Sequence, residues 1–181
     1  MSRLQDLARE ELSAEQRALY DRVASGPRGG VRGLYQAWLR SPQYCDRIEQ
    51  TARYLRFECS VPHRLRELAI LMVARHWRAR HMWHAHAPIA AGQGVAPEVI
   101  AAIGAGRTPD LTRSDEAIVY TYVNEMQTTH AIGEQNYRRT LDLLGEVALV
   151  ELAALVGHYT SVAITLKTFA IETPADAEVP F

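Results

Sequence analysis

Apolar side chains recur at three- and four-residue spacing along nearly the whole chain, and no stretch alternates apolar and polar residues over the length of a strand. That period selects helices and excludes a sheet, so the chain reads as all-α. Ser13 stands as an N-cap before AEQRALYDRVAS, and the Gly/Pro stretch at 26–33 reads as a surface loop. LYQAWLRS and PQYCDRIEQTARYLRFE follow, the second opened by Pro42 in its first turn. A further helix begins after Pro62, with Leu68, Leu71, Met72 and Arg75 spaced as one mostly apolar face. Pro97 opens a short helix with a glycine-rich exit, Ser114 is placed to cap DEAIVYTYVNEMQTTH, and EQNYRRTLDLLG and EVALVELAALVGHYTSVAITLKTF complete the set.

At 181 residues the chain suits one domain, with an N-terminal helix and Gly-rich loop over 1–34 and a tail over 173–181. Twenty basic residues against 21 acidic ones leave no electrostatic footprint for nucleic acid or an anionic membrane surface. No stretch reaches the roughly 18 apolar residues that a membrane span needs, and MSRLQDLAREEL has neither the apolar core nor the cleavage site of a signal peptide. The expected location is cytoplasmic. Cys45 and Cys59 fit no C-x-x-C arrangement, and a reducing compartment leaves them as free, buried thiols.

RLRELAILMVARHW and VALVELAALVGHYT align with Glu67 over Glu151, so an internal duplication of a helical unit is expected. The chemistry concentrates in the first copy. The stretch RELAILMVARHWRARHMWHAHAP holds four histidines and two tryptophans. On one continuous helix Glu67 and His86 would stand roughly 28 Å apart at 1.5 Å per residue. A break near Trp77 to Ala79, with the following helix folded back as in an αα-hairpin, would bring them together. WRAR contains neither Gly nor Pro, so the sequence does not force that break.

The pattern Glu67-Leu-Ala-Ile-Leu, followed by Trp83, His86 and Pro88, resembles the carboxymuconolactone decarboxylase and alkylhydroperoxidase D superfamily, over about residues 35 to 172. In the redox-active branch of that superfamily a glutamate, two cysteines and a histidine follow at fixed spacing. Here those positions hold Glu67, Ala79, Met82 and His86. The resemblance implies an alkylhydroperoxidase D-like helical bundle assembled as a homo-oligomer, a trimer or hexamer. The missing cysteines exclude a paired-thiol peroxidase, because neither Ala79 nor Met82 can supply a thiolate or its resolving partner.

A carboxylate beside an imidazole fixes the ring's tautomer and suits proton transfer at carbon. The expected activity is a cofactor-independent lyase of the carboxymuconolactone decarboxylase type, acting on a small anionic lactone or keto carboxylate through Glu67 and His86. Arg75, Arg78 or Arg80 could clamp the carboxylate, with Arg75 taken as the substrate contact. Trp83 and His81 are placed beside the pair, and Tyr35 and Trp38 could wall a pocket for an apolar ring. No metal is expected: His81 and His84 share a helix face, but His84 and His86 point about 200° apart. A hydrolase or peroxide enzyme of the same fold and a non-catalytic ligand-binding oligomer stay open as alternatives.

Overall fold

Ser13 accepts a hydrogen bond from the Gln16 amide at 3.2 Å while Gln16 Oε1 accepts one from the Ser13 amide at 2.9 Å, the reciprocal box that starts the first long helix. The computed structural model describes residues 2–26, 30–31 and 33–181. Pro27, Arg28, Gly29 and Arg32, in the stretch read as a loop, lie outside the described residues. The elements are α1 (Ala14–Ser25), α2 (Leu34–Trp38), α3 (Pro42–Arg53), a π-helical turn (Tyr54–Glu58), α4 (His63–His76), α5 (Arg80–Gly92), α6 (Pro97–Gly104), α7 (Ser114–Thr129) and α8 (Glu134–Thr168). A short 3-10 turn precedes them at Arg9–Glu11, and no strand occurs among the described residues. The all-α expectation holds.

The chain packs as two compact units. One comprises Met1–Glu58 with Ile164–Glu172, and the other Cys59–Ala163 with Thr173–Phe181. In the first, α1, α2 and α3 bury Leu19, Val23, Trp38, Leu39 and Cys45. Trp38 Nε1 donates to Thr165 Oγ1 at 3.3 Å. In the second, α5, α6 and α7 pack around α4. Ten consecutive residues of α4, Leu65 to Ala74, are buried, so it is a central helix rather than the one-faced helix its spacing suggested. That burial carries Arg66 and Glu67 into the core.

Two sequence readings change. Ser114 is the first residue of α7 and makes no side-chain cap bond; the first turn instead has Asp115 Oδ1 accepting from the Glu116 amide at 2.8 Å. An 18-residue window of α8, with mean hydropathy 1.7, is long and apolar enough to cross a membrane by length and composition. The sequence expectation of no such window is thereby corrected. More than half of that window, 56 %, is buried inside the protein, as in a core helix. Gly145, at φ 76°, breaks α8 where the sequence divided it into two helices. The aligned glutamates do different work: Glu151 accepts from the Ser60 amide at 2.6 Å, just ahead of α4.

Candidate active site

The site begins with a turn. Helix α4 ends at Trp77, and Arg78 takes the left-handed conformation at φ 49°. The Ala79 amide donates to the Ala74 carbonyl at 2.8 Å and the Arg78 amide to the Arg75 carbonyl at 3.0 Å. These are the two bonds of a Schellman motif, with arginine in the position that glycine usually occupies. Gly94 after α5 and Gly106 after α6 close their helices with the same pair of bonds. The break expected near Trp77 to Ala79 is therefore present. It is built by hydrogen bonding and core packing, not by a helix-breaking residue.

The turn folds α5 back on α4 and brings His86 Nδ1 to 2.8 Å from Glu67 Oε2. Each residue is 5 % exposed, so little water competes for the contact. Nδ1 as the N–H donor to a carboxylate leaves Nε2 as the ring's free lone pair, the tautomer that a proton-transfer site requires. Tyr159, from α8, stands edge-on to the His86 ring with centroids 5.2 Å apart, and the His158 ring stands edge-on to Tyr159 at 5.3 Å. Tyr159 was not singled out from the sequence. Its only signal was adjacency to His158 in GHYTS, and a tyrosine on a helix is ordinarily core.

The remaining candidates separate. Trp83 lies on the His86 side of α5, but its ring packs edge-on to Phe181 at 5.3 Å and against Gly104. Arg75 lies two turns beyond Glu67, about 12 Å along α4. Its Nε donates to the Gly104 carbonyl at 2.9 Å, and its guanidinium carbon stands 5.0 Å from the Phe181 ring centre. The stretch read as a tail is thus packed at its end. His81 is half-buried and about 140° around α5 from His86. Tyr35 and Trp38 belong to the other unit, where their rings meet edge-on at 5.2 Å. Ala79 and Met82 are both buried.

The Cys45 thiol is not set up as a nucleophile. Burial pushes Cys45 up to about 12, with Glu49 and Asp46 adding to the rise and Arg22 opposing it. Cys59 is also buried. Among the described residues no three His, Cys, Asp or Glu side chains are gathered as a metal site would need. Elsewhere in the same unit Arg64 pairs with Glu116 and, at 2.6 Å, with Asp115.

No family model matches the chain, and no curated protein matches it. Its structure is similar to that of an alkylhydroperoxidase AhpD core, a peroxidase-related protein from Ralstonia eutropha JMP134, with a TM-score of 0.76 at 13 % identity, covering 97 % of this chain and 93 % of that one. A peroxidase-related protein from Silicibacter sp. TM1040 is similar at a TM-score of 0.75 and 14 % identity, with the same coverage.

Proposed function

The chain has the alkylhydroperoxidase D fold, and on that scaffold we propose a cofactor-independent lyase in which Glu67 and His86 move a proton at carbon. The observation that carries the reading is the buried 2.8 Å contact between His86 Nδ1 and Glu67 Oε2. Ala79 and Met82 remove the paired-thiol alternative, and the raised Cys45 thiol offers no replacement nucleophile.

The substrate class is a small lactone or keto carboxylate. Cleavage of its C–CO2 bond leaves the electron pair on the remaining carbon skeleton as an enolate. His86 Nε2 takes a proton from solvent onto its lone pair and delivers it to that carbon, which returns the ring to the Nδ1–H tautomer held by Glu67. Glu67 holds the ring and balances its charge during the step. Tyr159 fixes the ring plane from the side.

Incubating the protein with a panel of β-keto acids and lactone carboxylates in D2O tests this by proton NMR. Wild type loses carboxylate, or takes up deuterium beside it, and His86→Ala loses that activity by about 10²–10⁴-fold. Absence of either change with every member of the panel overturns the reading. The names of the structural neighbours favour one second reading, peroxide chemistry without the paired thiols. Consumption of an organic hydroperoxide that survives Cys45→Ala and Cys59→Ala would establish it.

The same proposal takes the chain to be a cytoplasmic homo-oligomer, a trimer or hexamer. Two free thiols suit a reducing compartment. Val147 and Val150 of α8, 65 % and 69 % exposed, offer like subunits an apolar surface. Light scattering on the eluting peak decides the mass.

A further inference from the structure

Between α4, α6 and α7 lies a cavity of about 230 Å³ that neither Glu67 nor His86 lines. Its charge is one-sided. Arg75, Arg107 and His76 border it, and no Asp or Glu is among the described residues that do. Met72 and Ile103 form an apolar part of its wall.

The cationic group is held in place by the fold. Arg75 is fixed by its Nε bond to the Gly104 carbonyl at 2.9 Å and covered on one face by the Phe181 ring. A Cβ on Gly106 would stand 2.5 Å from the Arg75 Nη2, so the left-handed glycine at φ 72° is what lets the guanidinium lie there. With Nε committed, the terminal nitrogens keep the forked donor geometry that matches a planar or tetrahedral oxyanion. Gln127 lines the same cavity, and its Nε2 is buried without a hydrogen-bond partner among the described residues. A buried amide N–H without an acceptor costs stability, and a bound oxygen would remove that cost.

We infer that this cavity is a binding site for a small organic anion, with its oxygens on Arg75, Arg107 and Gln127 and its apolar body against Met72 and Ile103. The volume lies below the roughly 300–1,000 Å³ of drug-sized sites, so the ligand is small. The site is separate from the Glu67–His86 pair and stands whether or not that pair transfers protons, because Arg75 is about 12 Å farther along α4. Carboxylate and phosphate share the recognising chemistry, and the experiment distinguishes them.

The test is calorimetric and NMR titration of the intact protein at constant ionic strength, with isovalerate in one arm and inorganic phosphate in the other. Saturable binding is expected in the isovalerate arm. Arg107→Gln, at an exposed position that leaves the core untouched, weakens it at least tenfold, Gln127→Met weakens it several-fold, and His86→Ala leaves it unchanged. Phosphate binding tighter than isovalerate overturns the organic-body assignment in favour of a phosphate-bearing ligand. No saturable binding in either arm overturns the site. Binding kept in Arg107→Gln but lost in His86→Ala also overturns it, and moves the anion to the other pair.

Discussion

His86 Nδ1 and Glu67 Oε2 stand 2.8 Å apart inside the protein, although nineteen positions separate the two residues in the chain. The contact couples chemistry to stability, because both side chains are buried and each is the other's hydrogen-bond partner. His86→Ala leaves the carboxyl of Glu67 buried and alone, at an expected cost of about 3–5 kcal/mol in urea denaturation. Glu67→Gln keeps an oxygen to accept from Nδ1 and costs only about 1 kcal/mol. The double substitution is expected to cost less than the sum of the two, since the second change removes the charge that the first one stranded.

Arg78 holds a left-handed conformation at φ 49° in the turn that delivers His86 to Glu67. A side chain there costs roughly 1–2 kcal/mol relative to glycine, partly offset by glycine's greater freedom when unfolded. Arg78→Gly is therefore expected to stabilise the protein by about 0.5–1 kcal/mol, seen as a higher Tm. A fall in Tm would mean that the Arg78 side chain contributes contacts outweighing the backbone strain.

Two glycines should respond differently to alanine. At Gly104 the new methyl would meet Pro180 Cγ at 2.5 Å and the Trp83 ring at 2.9 Å, so the C-terminal segment must move. Gly104→Ala is expected to cost about 1–3 kcal/mol and to change tryptophan fluorescence. At Gly145 nothing lies within 4 Å, so only the left-handed backbone at φ 76° resists the change. Gly145→Ala should cost about 1–2 kcal/mol with the fluorescence unaltered.

Cys45 is held protonated by burial, its thiol pushed from 9.0 to about 12. The folded value lies above the unfolded one, so this contribution is complete below about pH 9 and is lost as pH rises toward 12. Stability measured between pH 9 and 11 should fall, and Cys45→Ala should flatten that slope. A thiol reagent applied to the native protein at pH 8 should leave Cys45 unmodified.

Asp115 behaves in the opposite sense. Burial raises its carboxyl, but the hydrogen bond from Arg64 and the amide of Glu116 outweigh that and hold it below the usual value of 3.8. Its contribution is present above that value and is lost as pH falls through the lower, folded one. Acid titration of stability should show this loss below about pH 4. Asp115→Asn should make the acid limb shallower. An unchanged limb would show that Arg64 is satisfied by Glu116 alone.

The sequence by itself determined the class of fold and most of its punctuation. Three- and four-residue spacing is local information, and so are the Ser13 box, Pro42 and Pro97 in first turns, and the break at Gly145. It also supplied both members of the Glu67–His86 pair, through their place in a resembling motif, without being able to bring them together. Tertiary structure decided that, because the α4–α5 turn closes on backbone bonds around an arginine and not on a residue whose identity announces a break. It also decided the fate of the charged side chains. On α4, Arg66 is buried and Arg75 is turned to Gly104 and Phe181, a distinction no spacing carries when a central helix is covered on every side. Which atoms a side chain meets depends on elements far away in the chain, and only packing in three dimensions fixes them.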